Sequence, residues 1–204
     1  MIQNLFPTQI LNSTIAPRNH PLLKSLKSDI VKLSEIDTDG QRWSSENYLY
    51  GYTSYGSLDQ LHLFSTSFQD LKKKIDKQVN VFVQQLEWNI SIDDLHLSKM
   101  WVNVMPKGTI HTGHIHPLSV VSGTFYVSLP KKDVPSLKFE DPRFTQMMAV
   151  PPKKKKLQLK NVNFYNFIPK VGEVVLFESW LRHEVVQNST NELRISVSFN
   201  YDWR

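Results

Sequence analysis

Three of the seven histidines fall in one short stretch, Ile110-His111-Thr112-Gly113-His114-Ile115-His116-Pro117, and a fourth, His183, closes Glu178-Ser179-Trp180-Leu181-Arg182-His183. In a β-strand, side chains at i and i+2 share a face. His114 and His116 then point the same way, while His111 faces the other side or precedes the strand. A His-x-His pair plus one histidine from a neighbouring strand makes a three-donor set. Such a set leaves coordination positions open for a substrate and O2, as in facial non-haem iron sites. Histidines on a strand are also ordinary polar residues, so the weight of the metal reading rests on what accompanies them.

The end of the chain supplies the companion. Val174–Phe177 and Leu193–Phe199 read as apolar strands, and Asn188-Ser189-Thr190-Asn191 has turn composition. With those four residues as a hairpin loop, Val185 faces Arg194 and His183 faces Ser196. His183, Arg194 and Ser196 then share one side. An arginine on the inner face of a barrel is unfavourable unless it meets an anion. Its planar fork suits both oxygens of a carboxylate, and Ser196 adds a donor. Metal and arginine together suit a co-substrate that chelates at one end and carries a carboxylate at the other, which is the shape of 2-oxoglutarate. The competing reading makes Arg194 a surface residue paired with Glu184 or Glu192.

These residues need a scaffold. From residue 95 onward, runs rich in Val, Phe, Tyr and Ser are broken by Gly and Pro. Candidate strands are 97–105, 109–116, 120–129, 136–140, 157–168, 173–178, 182–187 and 193–201. That count and spacing argue for a sandwich or barrel. Before them, residues 1–18 suggest one strand and a turn. A helix starts at Pro21, with Leu22, Leu26, Ile30 and Leu33 on one face. Residues 36–63 read as loop with short strands. A second helix runs from a capping box at Ser67 and Asp70 to near Trp88. The expected architecture is a mostly β, double-stranded β-helix (jelly-roll or cupin-like barrel) supported by about two helices. One domain spans 1–204, with 1–94 packing on a barrel core of 95–204. The helical part either braces the barrel or forms a homodimer surface.

A chain of 204 residues with 40% hydrophobic and 21% charged residues is ordinary globular material. Without cysteine, thiolate metal sites, cysteine nucleophiles and disulfides are excluded, and any metal is held by His, Asp or Glu. No signal peptide or membrane span is read, and a cytoplasmic protein is expected. The net charge of +5 is concentrated near Pro151-Pro152-Lys153-Lys154-Lys155-Lys156. A solvated loop is the simplest account of that run, with nucleic-acid binding as the competing one.

Together the segments Trp101-Val-Asn103, His114-Ile-His116-Pro117, Ser122-Gly-Thr-Phe-Tyr126-Val, Phe139-Glu-Asp-Pro-Arg143, Gly172-Glu-Val-Val-Leu-Phe177, Ser179-Trp-Leu-Arg-His183 and Arg194-Ile-Ser196-Val-Ser-Phe-Asn200 resemble Fe(II)/2-oxoglutarate-dependent oxygenases. The nearest likeness is to a family of small oxygenases of marine bacteria and their phages. The resemblance spans roughly 97–201. It implies that His114 and His183 bind Fe(II) and that Arg194, with Ser196 beside it, holds the far carboxylate of 2-oxoglutarate. Asn103 and Tyr126 line the same pocket. The expected activity is O2-dependent hydroxylation of an unidentified substrate with release of succinate and CO2. The sequence departs from the superfamily at His116, which stands where an Asp or Glu is usual. Three completions are open: a three-His site, a two-His site that leaves His116 to the substrate, or an acid from elsewhere such as Glu178 or Asp141. The three-His site is favoured, because neutral imidazole is a good Fe(II) ligand; zinc or nickel would fit it too. Outside the resemblance, a three-His cupin-like dioxygenase that uses no 2-oxoglutarate and a non-catalytic jelly-roll binding module are the alternatives.

Overall fold

A computed structural model describes residues 1–203. The first half builds helices. Helix α1 (Pro21–Ile36) begins with proline at its first turn, and the His20 ring Nδ1 accepts the Leu22 N–H at 3.1 Å. Its buried face is Leu22, Leu23, Leu26 and Ile30. Helix α3 (Thr66–Gln85) buries Phe68, Leu71, Ile75, Val79, Phe82 and Val83, the three-and-four spacing of an amphipathic helix. Its cap differs from the expected box. Ser65 is the N-cap, and the Ser67 hydroxyl instead donates to Asp29 of α1 at 2.5 Å. The segment expected as loop contains a further helix, α2 (Thr38–Asn47). Gly40 and a polar composition hide it in the sequence. Asp37 makes it, because its carboxylate caps the Gly40 N–H at 2.9 Å and also accepts from the Tyr52 and Ser57 hydroxyls.

Among the described residues, ten strands form two facing sheets, as expected of a double-stranded β-helix. They are β1 (Ile10–Thr14), β2 (Tyr52–Thr53), β3 (Leu95–Met105), β4 (His111–His114), β5 (Val121–Ser128), β6 (Leu137–Glu140), β7 (Phe164–Phe167), β8 (Glu173–Glu178), β9 (His183–Val185) and β10 (Arg194–Trp203). The larger sheet has the order β1-β8-β5-β10-β3-β2 and the smaller β4-β9-β6-β7. The helices pack on the outer face of the larger sheet, where Leu26, Ile30, Leu71 and Ile75 join Val102, Val121, Leu176 and Val197 in one buried cluster. Between the sheets lies a second cluster containing Tyr126, Phe139, Phe177, Leu181 and Val185. No helix among the described residues is long and apolar enough to cross a membrane.

Two strand expectations change. The span 157–168 is strand only at Phe164–Phe167, because Leu157 and Leu159 are exposed and meet no neighbouring strand. More consequentially, β9 and β10 are not a hairpin. His183 pairs with His114 and Phe139 in the smaller sheet, whereas Arg194 pairs with Met105 in the larger. The connection crosses between sheets as an arch around the buried Asn188, whose side-chain amide donates to the carbonyls of Met105 and Glu192 at 2.8 and 2.9 Å.

Candidate active site

The inner face of the larger sheet is laid out in rows. Directly opposed residues of antiparallel strands share a face, and the register places Trp101 beside Ser198, Asn103 beside Ser196 and Met105 beside Arg194. On the other flank of β10, Tyr126 opposes Ser196 and Thr124 opposes Ser198. The facing wall is β4, β9 and β6. A narrow cavity of about 20 Å³ lies between them and touches every residue just named except Tyr126, together with Tyr48, His111, His114, His116 and His183.

At one end, His114, His116 and His183 converge, with their donor atoms all within 4.8 Å of one another. His114 and His183 are opposed across β4 and β9. His116 lies beyond β4, and its N–H donates to the Ser179 carbonyl at 3.0 Å. Convergence therefore comes from the turn at Pro117 and the Ser179 loop rather than from strand alternation. The His183 Nδ1–H donates to the Leu181 carbonyl at 2.8 Å and the His114 Nδ1–H to the Thr112 carbonyl at 2.7 Å. Each bond fixes the tautomer and leaves Nε2 free as a metal donor. Nε2 of His116 and Nε2 of His183 stand 3.2 Å apart. Two nitrogens bound at right angles to one ion at about 2.1 Å would be about 3.0 Å apart, so the spacing fits a metal.

Burial is the main cause that lowers all three basicities: His116 to about 2, His183 to about 3, and His114 in the same direction. The neighbouring imidazoles add to the shifts of His116 and His183. All three are therefore neutral near pH 7, the form that binds metal. His111, expected on the other side, instead stacks on His114 at 4.4 Å and lines the cavity. A register irregularity between His111 and His114 breaks the strand alternation that would have turned it away. Glu178 and Asp141 are not part of the donor group; Asp141 is engaged by Arg143 at 2.8 Å.

At the other end lies Arg194, only 1% exposed. Its Nη1 donates to the Ser196 hydroxyl at 3.1 Å and contacts Met105 Sδ at 3.3 Å. Nε and Nη2 are buried without a partner, and among the described residues Arg194 enters no ion pair. The alternative surface pairing does not occur: Glu184 holds Lys138, and Glu192 accepts the Lys131 N–H. Around Arg194, three more buried polar atoms lack partners: the Tyr126 hydroxyl, the Tyr48 hydroxyl and Asn103 Oδ1. The Tyr126 ring lies 5.1 Å from the Arg194 guanidinium carbon. Burial pushes the Tyr126 hydroxyl up to about 12, against the opposing pull of Arg194, and it remains a donor. Buried polar groups are nearly always satisfied, and a buried cation without a counter-charge is rarer still. The guanidinium and the two tyrosine hydroxyls, all donors, have the form of a receptor for an anionic group, whereas Asn103 Oδ1 is an acceptor and its Nδ2 donates to Ser198 at 3.1 Å.

From sequence, the aromatic segment around Tyr48 reads as packing or as the lining of a substrate mouth, not as a neighbour of Arg194. Tyr48 sits at the end of α2, far from the other pocket residues in the chain, and no local signal marks it. Sequence reasoning likewise passed over the support beneath the histidines. Ser179, buried, shares a 2.7 Å hydrogen bond with Ser122, whose hydroxyl also donates to Asn200 Oδ1 at 2.9 Å. That network fixes the loop whose Ser179 carbonyl orients His116.

Two facing sheets with three imidazoles at one end of the cavity and an uncompensated arginine at the other define a double-stranded β-helix protein built for a metal and an oxo-acid. Residues 99–200 match the family model described as "Putative 2OG-Fe(II) oxygenase", and the chain belongs to that family. It is thus an Fe(II)- and 2-oxoglutarate-dependent oxygenase. No curated protein matches the sequence. Among solved structures, the fold is similar to HygX from Streptomyces hygroscopicus with nickel and 2-oxoglutarate bound (TM-score 0.64, 13% identity, covering 96% of this chain and 83% of that one). It is also similar to the α-ketoglutarate-dependent epimerase SnoN from nogalamycin biosynthesis (0.68, 12%, 96% and 76%). A third is a Pseudomonas putida prolyl-4-hydroxylase (0.65, 14%, 97% and 94%).

Proposed function

We propose that His114, His116 and His183 hold the Fe(II), and that Arg194, with Ser196 beside it, receives the far carboxylate of 2-oxoglutarate, Asn103 and Tyr126 lining the same pocket. The observation that carries this reading is the buried, unneutralised Arg194 facing the histidine trio across one cavity. The donor set fits a divalent ion that also binds oxygen ligands. Because the three donors are uncharged, the metal keeps its full positive charge, which a dianionic co-substrate offsets.

When bound, the iron and 2-oxoglutarate supply the oxidising chemistry: one oxygen atom of O2 enters succinate, with loss of CO2, and the other enters the substrate as a hydroxyl. The chain's own residues do the rest. The Nδ1–H bonds of His114 and His183 to backbone carbonyls hold the rings in the donating tautomer. Arg194 and Ser196 set the depth at which the co-substrate sits. Tyr126 and Tyr48 hold their protons there and donate rather than accept. Phe139 and Phe177, packed against the His183 ring, exclude water from that side. Residues 1–94 and 95–204 work as one domain in this reading, with the helices bracing the sheet that carries Arg194.

The test is an anaerobic titration of metal-free protein with Fe(II) and then 2-oxoglutarate, followed by the visible charge-transfer band of a chelated keto acid. We expect a saturable band, lost in His183→Ala and needing more 2-oxoglutarate in Arg194→Ala. Iron binding with no band at any 2-oxoglutarate concentration would overturn the assignment.

A further inference from the structure

The lysine run finds no use in the site just described, yet the fold carries it to the same end of the barrel. Strand β6 ends at Glu140, next to Phe139, which pairs with His183; β7 begins at Phe164, opposite Glu140. Residues 141–163 therefore leave and rejoin the sheet at the metal end of the barrel. The N-terminal segment arrives at the same end, since Ile10 pairs with Phe177, whose ring is 4.5 Å from that of His183. Between this segment and the loop lies a groove of about 850 Å³, with Phe139 and Leu181 on its floor.

Residues 141–163 hold Arg143, Lys153–Lys156 and Lys160 against a single acid, Asp141, and so carry the chain's whole net charge of +5. Arg143 and Asp141 satisfy each other. The five lysines are exposed, and among the described residues none of them enters an ion pair. Lys153 is tied to the groove wall through the Asn161 carbonyl at 2.8 Å and the Asn163 side chain, and Lys160 lines the groove directly. Exposed aromatic rings accompany the charge. Phe6 and Tyr165 line the groove at 89% and 37% exposure, and Phe144 packs beside Phe164 at 5.2 Å. Lysines that track phosphates beside rings on which bases stack are the pairing that single-stranded nucleic acid requires. A walled groove also rejects a base held within a duplex, which must leave its stack to reach a reaction centre.

We propose that this loop and groove bind single-stranded nucleic acid, with phosphates along Lys153–Lys156 and Lys160 and one unstacked nucleotide in the groove. The binding does not depend on the oxygenase reading above. The test uses the full-length protein without metal and a fluorescein-labelled thymidine oligonucleotide of about twelve nucleotides, read by anisotropy. With about four phosphates neutralised, affinity should fall about fifty-fold between about 50 and about 200 mM salt. Replacing Lys153, Lys154, Lys155 and Lys156 together by Ala should flatten that dependence, with an unchanged melting temperature showing that the fold is intact. Tyr165→Ala should lower affinity about fivefold or more and leave the salt slope alone. The proposal is overturned by a salt slope that the lysine variant retains, by equal binding of the duplex or of a polyglutamate peptide, or by preference for phosphatidylserine vesicles. A failed chelate-band titration alongside salt-dependent oligonucleotide binding would remove the oxygenase reading and leave the surface; the reverse result would remove the surface alone.

Discussion

Arg194→Met separates the role of Arg194 as a receptor from any role in packing, because the two predict opposite signs. In the protein without co-substrate, Arg194 is a buried cation whose Nε and Nη2 have no partner. Replacing buried ionic groups with apolar residues of similar volume is often stabilising, by about 1–4 kcal/mol. For a chain of this size each kcal/mol moves the melting temperature by about 2–4 °C. Metal-free Arg194→Met should therefore melt about 2 °C or more above the parent. Its co-substrate binding should move the other way. Losing a desolvated guanidinium–carboxylate contact costs about 2–5 kcal/mol. At about 3 kcal/mol, the 2-oxoglutarate dissociation constant rises about 150-fold. The assays are differential scanning fluorimetry with and without 2-oxoglutarate, and the chelate-band titration. In the parent, 2-oxoglutarate at about a hundred times its dissociation constant adds about 2.7 kcal/mol; at the same concentration the variant should gain almost nothing. A variant that melts lower than the parent and binds 2-oxoglutarate normally would refute the reasoning and make Arg194 a packing residue.

Three further expectations test the support around the site. Ser179→Ala, which strands Ser122 and Asn200, should cost about 1–3 kcal/mol of stability and weaken Fe(II) binding by about tenfold or more, read by competition with a chelator; unchanged metal affinity would separate the network from His116. Metal-free protein should lose stability as pH falls below the unfolded histidine value of about 6.5, because His111, His116 and His183 are held down to about 3, about 2 and about 3 and stay neutral while the unfolded chain takes up protons. Each contributes a loss on the order of 2 kcal/mol by pH 5, so a flat profile of melting temperature over that range would contradict the burial of the cluster. Gly172→Ala should destabilise by several kcal/mol without altering the site. Its φ is +82° and an added Cβ would fall 1.7 Å from the Ala16 carbonyl oxygen. Denaturant unfolding would show this, and a near-neutral result would mean that the β1 contact is dispensable.

The sequence by itself marks the residues proposed here as ligands. His114, His116, His183, Arg194 and Ser196 are residue types with few other uses inside a barrel, and the alternating apolar runs around them require facing sheets. It also carried α1 and α3, whose apolar faces repeat at helical spacing, because that period is written locally. What it left undetermined depends on partners distant in the chain. Arg194 and His183 meet across two sheets rather than within one hairpin, and only the arch around Asn188 decides that. His111 enters the pocket through a strand irregularity with no compositional mark. Helix α2 depends on Asp37 being held by Tyr52 and Ser57. The Lys153–Lys156 run reads as an ordinary solvated loop until the pairing of Glu140 with Phe164 sets it at the metal end. Local periodicity fixes the strongly patterned elements; long-range hydrogen bonding and burial decide the weakly patterned ones and which side chains share a cavity.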